Sequence, residues 1–86
     1  MIKTDVTIRN EKGLHARPAT FFIQKANAFK SSVWVENGTR KANAKSLLGV
    51  LSLAVSKGHV ITLSAEGVDE AEAVAGLAQL IAELED

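Results

Sequence analysis

The chain has 86 residues, 47% hydrophobic, 23% charged and 5% aromatic, with no cysteine and one proline. Ten basic residues balance ten acidic ones, so the net charge is zero, which excludes the basic footprint of a nucleic-acid binder. One domain over residues 1–86 is expected, too small for a deep substrate cavity, and the missing thiols exclude a disulfide scaffold or thiolate metal site.

From Ile2 to Ile8 the chain alternates, with Thr4, Val6 and Ile8 on one face. That pattern predicts a strand, ended by the Glu11-Lys12-Gly13 cluster. Between Ala16 and about Asn27 the apolar residues Ala19, Phe22, Ile23 and Ala26, then Phe29, recur at spacings of three and four, which is one helix face. Ser32-Val33-Trp34-Val35-Glu36 alternates again, with Val33 and Val35 turned to the core and Trp34 to the open face or its rim. Asn37-Gly38 predicts a hairpin, since both residues tolerate the positive φ of a primed turn, and a return strand over about Arg40–Ala42 follows.

Ser46 precedes Leu47-Leu48-Gly49-Val50-Leu51-Ser52-Leu53, enough for two helical turns, and its hydroxyl suits the N-cap. Lys57-Gly58-His59 is a turn, and Val60–Ser64 a strand with Ile61 and Leu63 inward. Asp69 and Glu70 put negative charge where a helix dipole favours it, ahead of a last helix with Val74, Leu77, Ile81 and Leu84 as its buried stripe. The order β-α-β-β-α-β-α places the chain in the α+β class, as a two-layer open-faced β-sandwich. Its helices cover one face of the sheet, because only one face of each strand is consistently apolar.

The stretch Gly13-Leu14-His15-Ala16-Arg17-Pro18-Ala19-Thr20 lies where the first loop meets the first helix. A helix start presents unpaired amides and a partial positive charge, which suit an anion. Pro18 is tolerated in the first turn but biases Arg17 away from helical geometry, so the helix starts at Ala16 or at Pro18. An imidazole nitrogen can accept a phosphoryl group as a covalent intermediate, and the Arg17 guanidinium matches phosphate oxygens. The same residues also suit a plain helix cap with a solvated charge. Spacing alone does not decide.

GLHARPAT together with NAKSLLGVLSLAVSKG resembles the histidine-containing phosphocarrier (HPr) family of the phosphoenolpyruvate-dependent sugar phosphotransferase system, over essentially the whole chain. The resemblance implies a four-stranded antiparallel sheet of order 1-4-2-3 with three helices on one side. It implies that His15 is phosphorylated on Nδ1 by phosphorylated enzyme I and passes the group to the enzyme IIA domain of a sugar permease. Arg17 would neutralise the phosphoryl group, and the backbone amides of Ala16 and Arg17 would receive its oxygens. Such a protein is a carrier in the cytoplasm, not an independent catalyst, and needs no cofactor. With His15 and His59 as its two histidines, no metal site is suggested.

On local chemistry Ser46 reads as an N-cap. The resemblance makes it the target of an ATP-dependent HPr kinase/phosphorylase, with the phosphorylated form a corepressor for a carbon-catabolite transcription factor. Leu47, Leu48 and Leu51 either complete the core or form an exposed docking patch near His15, and a split between the two roles is expected. Thr20, one turn beyond Arg17, belongs to the docking surface or simply to the helix surface.

Where this chain has Leu47, Leu48 and Leu51, many family members carry Ile-Met and a later Met. Ala54 replaces a glycine common in the family, a feature shared with a regulatory paralogue that lacks the active-site histidine. Arg40 and Lys45 are read as solvated charges, and His59 as structural or exposed. A monomer without membrane insertion is expected. The rival readings are a regulatory module working through Ser46 alone, a nitrogen-branch carrier, and a small-molecule-binding α+β domain, which no glycine-rich phosphate loop supports.

Overall fold

The computed structural model describes residues 1–85. Its elements are β1 (Ile2–Thr7), α1 (Ala16–Asn27), β2 (Ser32–Asn37), β3 (Arg40–Asn43), α2 (Leu47–Ser52), β4 (Val60–Glu66) and α3 (Glu70–Ala82). The four strands form one antiparallel sheet in the order β1-β4-β2-β3, as expected.

Register follows from the alternation of apolar and polar residues. Thr4 lies opposite Leu63, Leu63 opposite Val35 and Val35 opposite Ala42, and Leu63 and Val35 are fully buried beneath the helices. The neighbouring row, Asp5-Thr62-Glu36-Lys41, runs along the open face, where the Thr62 hydroxyl donates to Asp5 (2.8 Å). A one-residue slip would exchange the two rows, so burial of one face holds the register. Trp34 stands on the open face, half-buried, with Lys41 Nζ 5.3 Å from its ring centroid.

The helices seal the other face. Phe22, Ala19 and Ala26 of α1, Val50 of α2, and Ala73, Val74, Leu77 and Ile81 of α3 are buried. Burying a side chain such as Phe22 or Leu77 stabilises the fold by about 1.5–3 kcal/mol relative to exposure. Leu84 lies beyond the end of α3 and is half-buried, so the expected stripe ends at Ile81.

Several expectations are corrected. The hairpin turns one residue later than Asn37-Gly38: Asn37 pairs with Arg40, and Gly38, at φ +64°, leads the turn. Thr39 keeps a negative φ, as in a type II′ turn. Asn37 is held in the strand by its side chain, whose Nδ2 donates to the Leu53 carbonyl (3.0 Å). β4 runs to Glu66, past Ser64, because Ala65 pairs with both Ile2 and Val33.

Arg40 and Lys45 are not simply solvated. Arg40 Nη1 donates to the Ser52 carbonyl (3.0 Å) and Lys45 Nζ to the Phe29 carbonyl (2.8 Å). Each satisfies carbonyls left unpaired at a helix end. Asp69 is the N-cap of α3, but its carboxylate reaches across to the Lys30 amide (2.8 Å), the Ser31 amide (2.9 Å) and the Ser31 hydroxyl. Those bonds, that of the Ser31 hydroxyl foremost, lower its pKa to about 2.

Candidate functional site

His15 is delivered to the surface by a loop fixed on both sides. Gly13 has φ +62°, and a Cβ there would lie 2.2 Å from the Val55 carbonyl oxygen, so only glycine can pass at this point. Asn10 Nδ2 donates to the Gly13 carbonyl (2.9 Å), and the Leu14 amide donates to the Val55 carbonyl (3.1 Å). The next residue, His15, is the N-cap of α1 in extended conformation (φ −78°, ψ −172°), which settles the helix start at Ala16. Its carbonyl accepts the Ala19 amide (2.9 Å), while its ring caps nothing.

This start leaves donors unused. The amides of Ala16 and Arg17 have no partner among the described residues, and Pro18 has no N–H. The first turn of α1 carries no acidic residue, so no carboxylate of its own sequence offsets the positive end of the helix dipole there. Such an end favours an adjacent anion by about 0.3–1 kcal/mol, reaching ~2 in partly buried settings. Arg17 is exposed and has no ion-pair partner among the described residues. The imidazole is half-buried. Its Nε2 is closed to solvent and without a hydrogen bond among the described residues, so the nitrogen left to meet an outside reagent is Nδ1.

Ser46 is the N-cap of α2, and its hydroxyl accepts the Gly49 amide (3.1 Å). The expected split is only partial: none of the three leucines is fully buried, Leu47 and Leu51 being half-buried against the core and Leu48 81% exposed, because Val50 fills the buried position of α2. Their placement along α2 follows from two contacts. Asn27, the last residue of α1, donates to the Lys45 carbonyl (3.3 Å), whereas Val55, beyond the end of α2, meets Leu14. The two helices therefore run in opposite directions, with Ser46 near the end of α1 and His15 at its start. At 1.5 Å per residue, the 12 residues of α1 separate them by about 18 Å. Leu51 lies toward the His15 end, Leu47 and Leu48 toward the other.

The Thr20 hydroxyl donates to the Ala16 carbonyl (2.9 Å), so it braces the first turn of α1. His59 is exposed, and its Nδ1 accepts the Ser56 amide (3.1 Å), a structural contact in the turn after α2. Among the described residues no cluster of His, Asp or Glu could hold a metal ion, and no helix is long and apolar enough to cross a membrane.

One feature escaped the sequence reading. Beside His15 an open groove of about 880 Å³ runs between α1 and the end of α3, with Phe21 on its α1 side and Leu80 and Leu84 opposite. Phe21 is 48% exposed although its neighbour Phe22 is fully buried. The signal in the sequence was Phe21 itself, a large aromatic that falls off the apolar face of its helix.

Comparison with known proteins places this geometry. The family model described as "PTS HPr component phosphorylation site" matches residues 2–83. The chain is 48% identical to the HPr-like protein Crh of Bacillus subtilis, over 96% of this chain and 98% of that protein. It is 47% identical to the phosphocarrier protein HPr of Neisseria meningitidis, over 94% of this chain and 91% of that one. Among solved structures, HPr-C-His of Thermoanaerobacter tengcongensis superposes with a TM-score of 0.92 at 51% identity, covering 95% of this chain and 92% of the other. The HPr dimer of the same organism matches at the same 51% identity with a TM-score of 0.76, covering 95% and 94%.

Proposed function

The chain belongs to the HPr family of phosphocarrier proteins, and we propose that it takes a phosphoryl group onto His15 from phosphorylated enzyme I. It then hands that group to the enzyme IIA domain of a sugar permease. The observation that carries this reading is the pairing of an imidazole open at Nδ1 with two unpaired amides, those of Ala16 and Arg17. The Nδ1 lone pair forms the N–P bond as the donor's bond to phosphorus breaks, and the ring proton stays on Nε2. Both amides and the Arg17 guanidinium receive the phosphoryl oxygens. In the second step the acceptor's nucleophile bonds to phosphorus, and the electrons of the N–P bond return to Nδ1. The helix end holds an anion by no more than ~2 kcal/mol, which suits a group that must leave again. The protein is a carrier whose substrates are other proteins, not a catalyst in itself.

Relatives named HPr and Crh match equally well, so overall identity does not separate a carrier from a regulatory module acting through Ser46 alone. His15 favours the carrier. Ser46 is read as a second phosphorylation site, modified by an HPr kinase/phosphorylase and then recognised by a catabolite-control transcription factor. What supports this is its place at a helix start, where a phosphate is electrostatically welcome, beside the exposed Leu48. Thr20, Leu47, Leu48 and Leu51 are read as partner contacts.

We further read the protein as a cytoplasmic monomer. Sedimentation at several concentrations tests the assignment. Incubation with enzyme I and labelled phosphoenolpyruvate tests the carrier. Label that is acid-labile and base-stable is expected on the parent and absent from His15→Ala; a parent that takes no label overturns the reading.

A further inference from the structure

We propose that His59 is a positioning residue for the transfer at His15, its ring nitrogen fixing the peptide unit on which the His15 loop rests. Its consequence for transfer rests on the phosphocarrier reading. The Ser56 amide donates to His59 Nδ1 (3.1 Å), and the Leu14 amide donates to the Val55 carbonyl (3.1 Å). That carbonyl and the Ser56 amide belong to one planar peptide unit, so neither turns without the other. A single rigid plate therefore joins His59 at one edge to the residue before His15 at the other. Gly13 packs on the same plate, where a Cβ would lie 2.2 Å from the Val55 oxygen and 2.8 Å from the Ser56 Cα.

His59 is itself anchored. Its carbonyl accepts the Ile8 amide (2.9 Å), and the Gly58 amide donates to the Ile8 carbonyl (2.8 Å), which ties this turn to the residue after β1. A backbone N–H only donates, so Nδ1 is the acceptor and the ring proton sits on Nε2. Asn37 Nδ2, which donates to the Leu53 carbonyl, lies 3.3 Å from the same Nδ1 and favours the same tautomer. A bond at the N–H edge also polarises the peptide and strengthens its carbonyl as an acceptor, so His59 tightens the hold on Leu14. The other side-chain tie between the two loops, Lys57 Nζ to Glu11 (2.7 Å), is an exposed ion pair that contributes little.

The test compares the parent with His59→Asn and His59→Phe, with thermal melts to verify that each is folded at the assay temperature. Asn carries its Oδ1 on Cγ, where the parent has Nδ1, and still accepts. Phe keeps a ring there and accepts nothing. Exchange of the Leu14 amide with solvent is expected to quicken about ten-fold in His59→Phe and to stay within about two-fold of the parent in His59→Asn. In labelling by enzyme I and phosphoenolpyruvate, kcat is expected to fall about three-fold in His59→Phe with little change in KM, and to return in His59→Asn. A role confined to packing would spare Phe and not Asn, and that result overturns the proposal. Parent-like exchange and labelling in folded His59→Phe, or a parent ring whose proton nitrogen NMR places on Nδ1, also overturns it while leaving the carrier intact. A parent that takes no label overturns the carrier reading, and the role in transfer with it.

Discussion

The Leu14 amide donates to the Val55 carbonyl at 3.1 Å, so the residue before His15 hangs from the turn that ends α2. That turn contains Ala54 at φ 51°, the one non-glycine residue with positive φ among the described residues. Ala54 follows the C-cap Leu53, the position where helices most often place glycine in left-handed conformation. With a Cβ, the left-handed conformation is strained by about 1–2 kcal/mol, a cost that glycine would not carry.

Ala54→Gly is therefore expected to stabilise the protein. Relief of the strain exceeds the added chain entropy of an unfolded glycine, leaving a gain of roughly 0.5–1 kcal/mol. Urea unfolding measures it as a higher midpoint with unchanged slope. A lower midpoint would show that Ala54 contributes packing the geometry does not reveal.

Gly13→Ala acts in the opposite direction. The new Cβ meets the Val55 carbonyl oxygen at 2.2 Å in a backbone already at φ +62°, so the loop must move. A loss of about 2 kcal/mol or more is expected, along with slower labelling of His15, because the same loop positions the imidazole. Parent-like stability and labelling would show that the loop yields freely.

Charge at Ser46 is expected to act on docking and not on the chemistry at His15. The two residues lie about 18 Å apart along α1, whereas exposed charges are largely screened beyond ~10 Å at ordinary salt. Ser46→Asp should raise KM for enzyme I and slow labelling, with the fold and the hydrolysis rate of the phosphohistidine unchanged. An altered hydrolysis rate would point to direct coupling. Ser46→Ala, which removes the cap to Gly49, should cost about 1 kcal/mol of stability.

Asp69 predicts an acid-sensitive joint between the α1–β2 connection and α3. Its pKa is about 2 in the folded chain, against an ordinary carboxyl value near 3.9. A lowered folded value means that the unfolded chain binds the proton more readily. The contribution is therefore complete above the ordinary value and is lost as pH falls toward about 2. Thermal melts between pH 5 and 2 should show the parent losing stability across that window. Asp69→Asn should begin lower and fall less steeply, because it cannot hold Ser31 and Lys30 as a carboxylate does. Parallel curves would remove Asp69 from the account.

Much of this protein was legible as local pattern. Periods of two and near 3.6 mark each strand and helix, Ser46 announces a cap, and the Gly13–Thr20 stretch places His15 at the start of α1, because these signals act between residues a few positions apart. Hairpin register was less legible: Asn37 left the turn for the strand because its amide found Leu53, sixteen residues away in the chain. The closure of Nε2, the support of Leu14 by Val55, the distance between Ser46 and His15 and the groove beside Phe21 each depend on where separate elements meet. Periodicity states which face of an element is apolar, not which neighbour covers it or which residue the packing leaves open. That choice belongs to side-chain volumes and sheet order acting together across the whole chain.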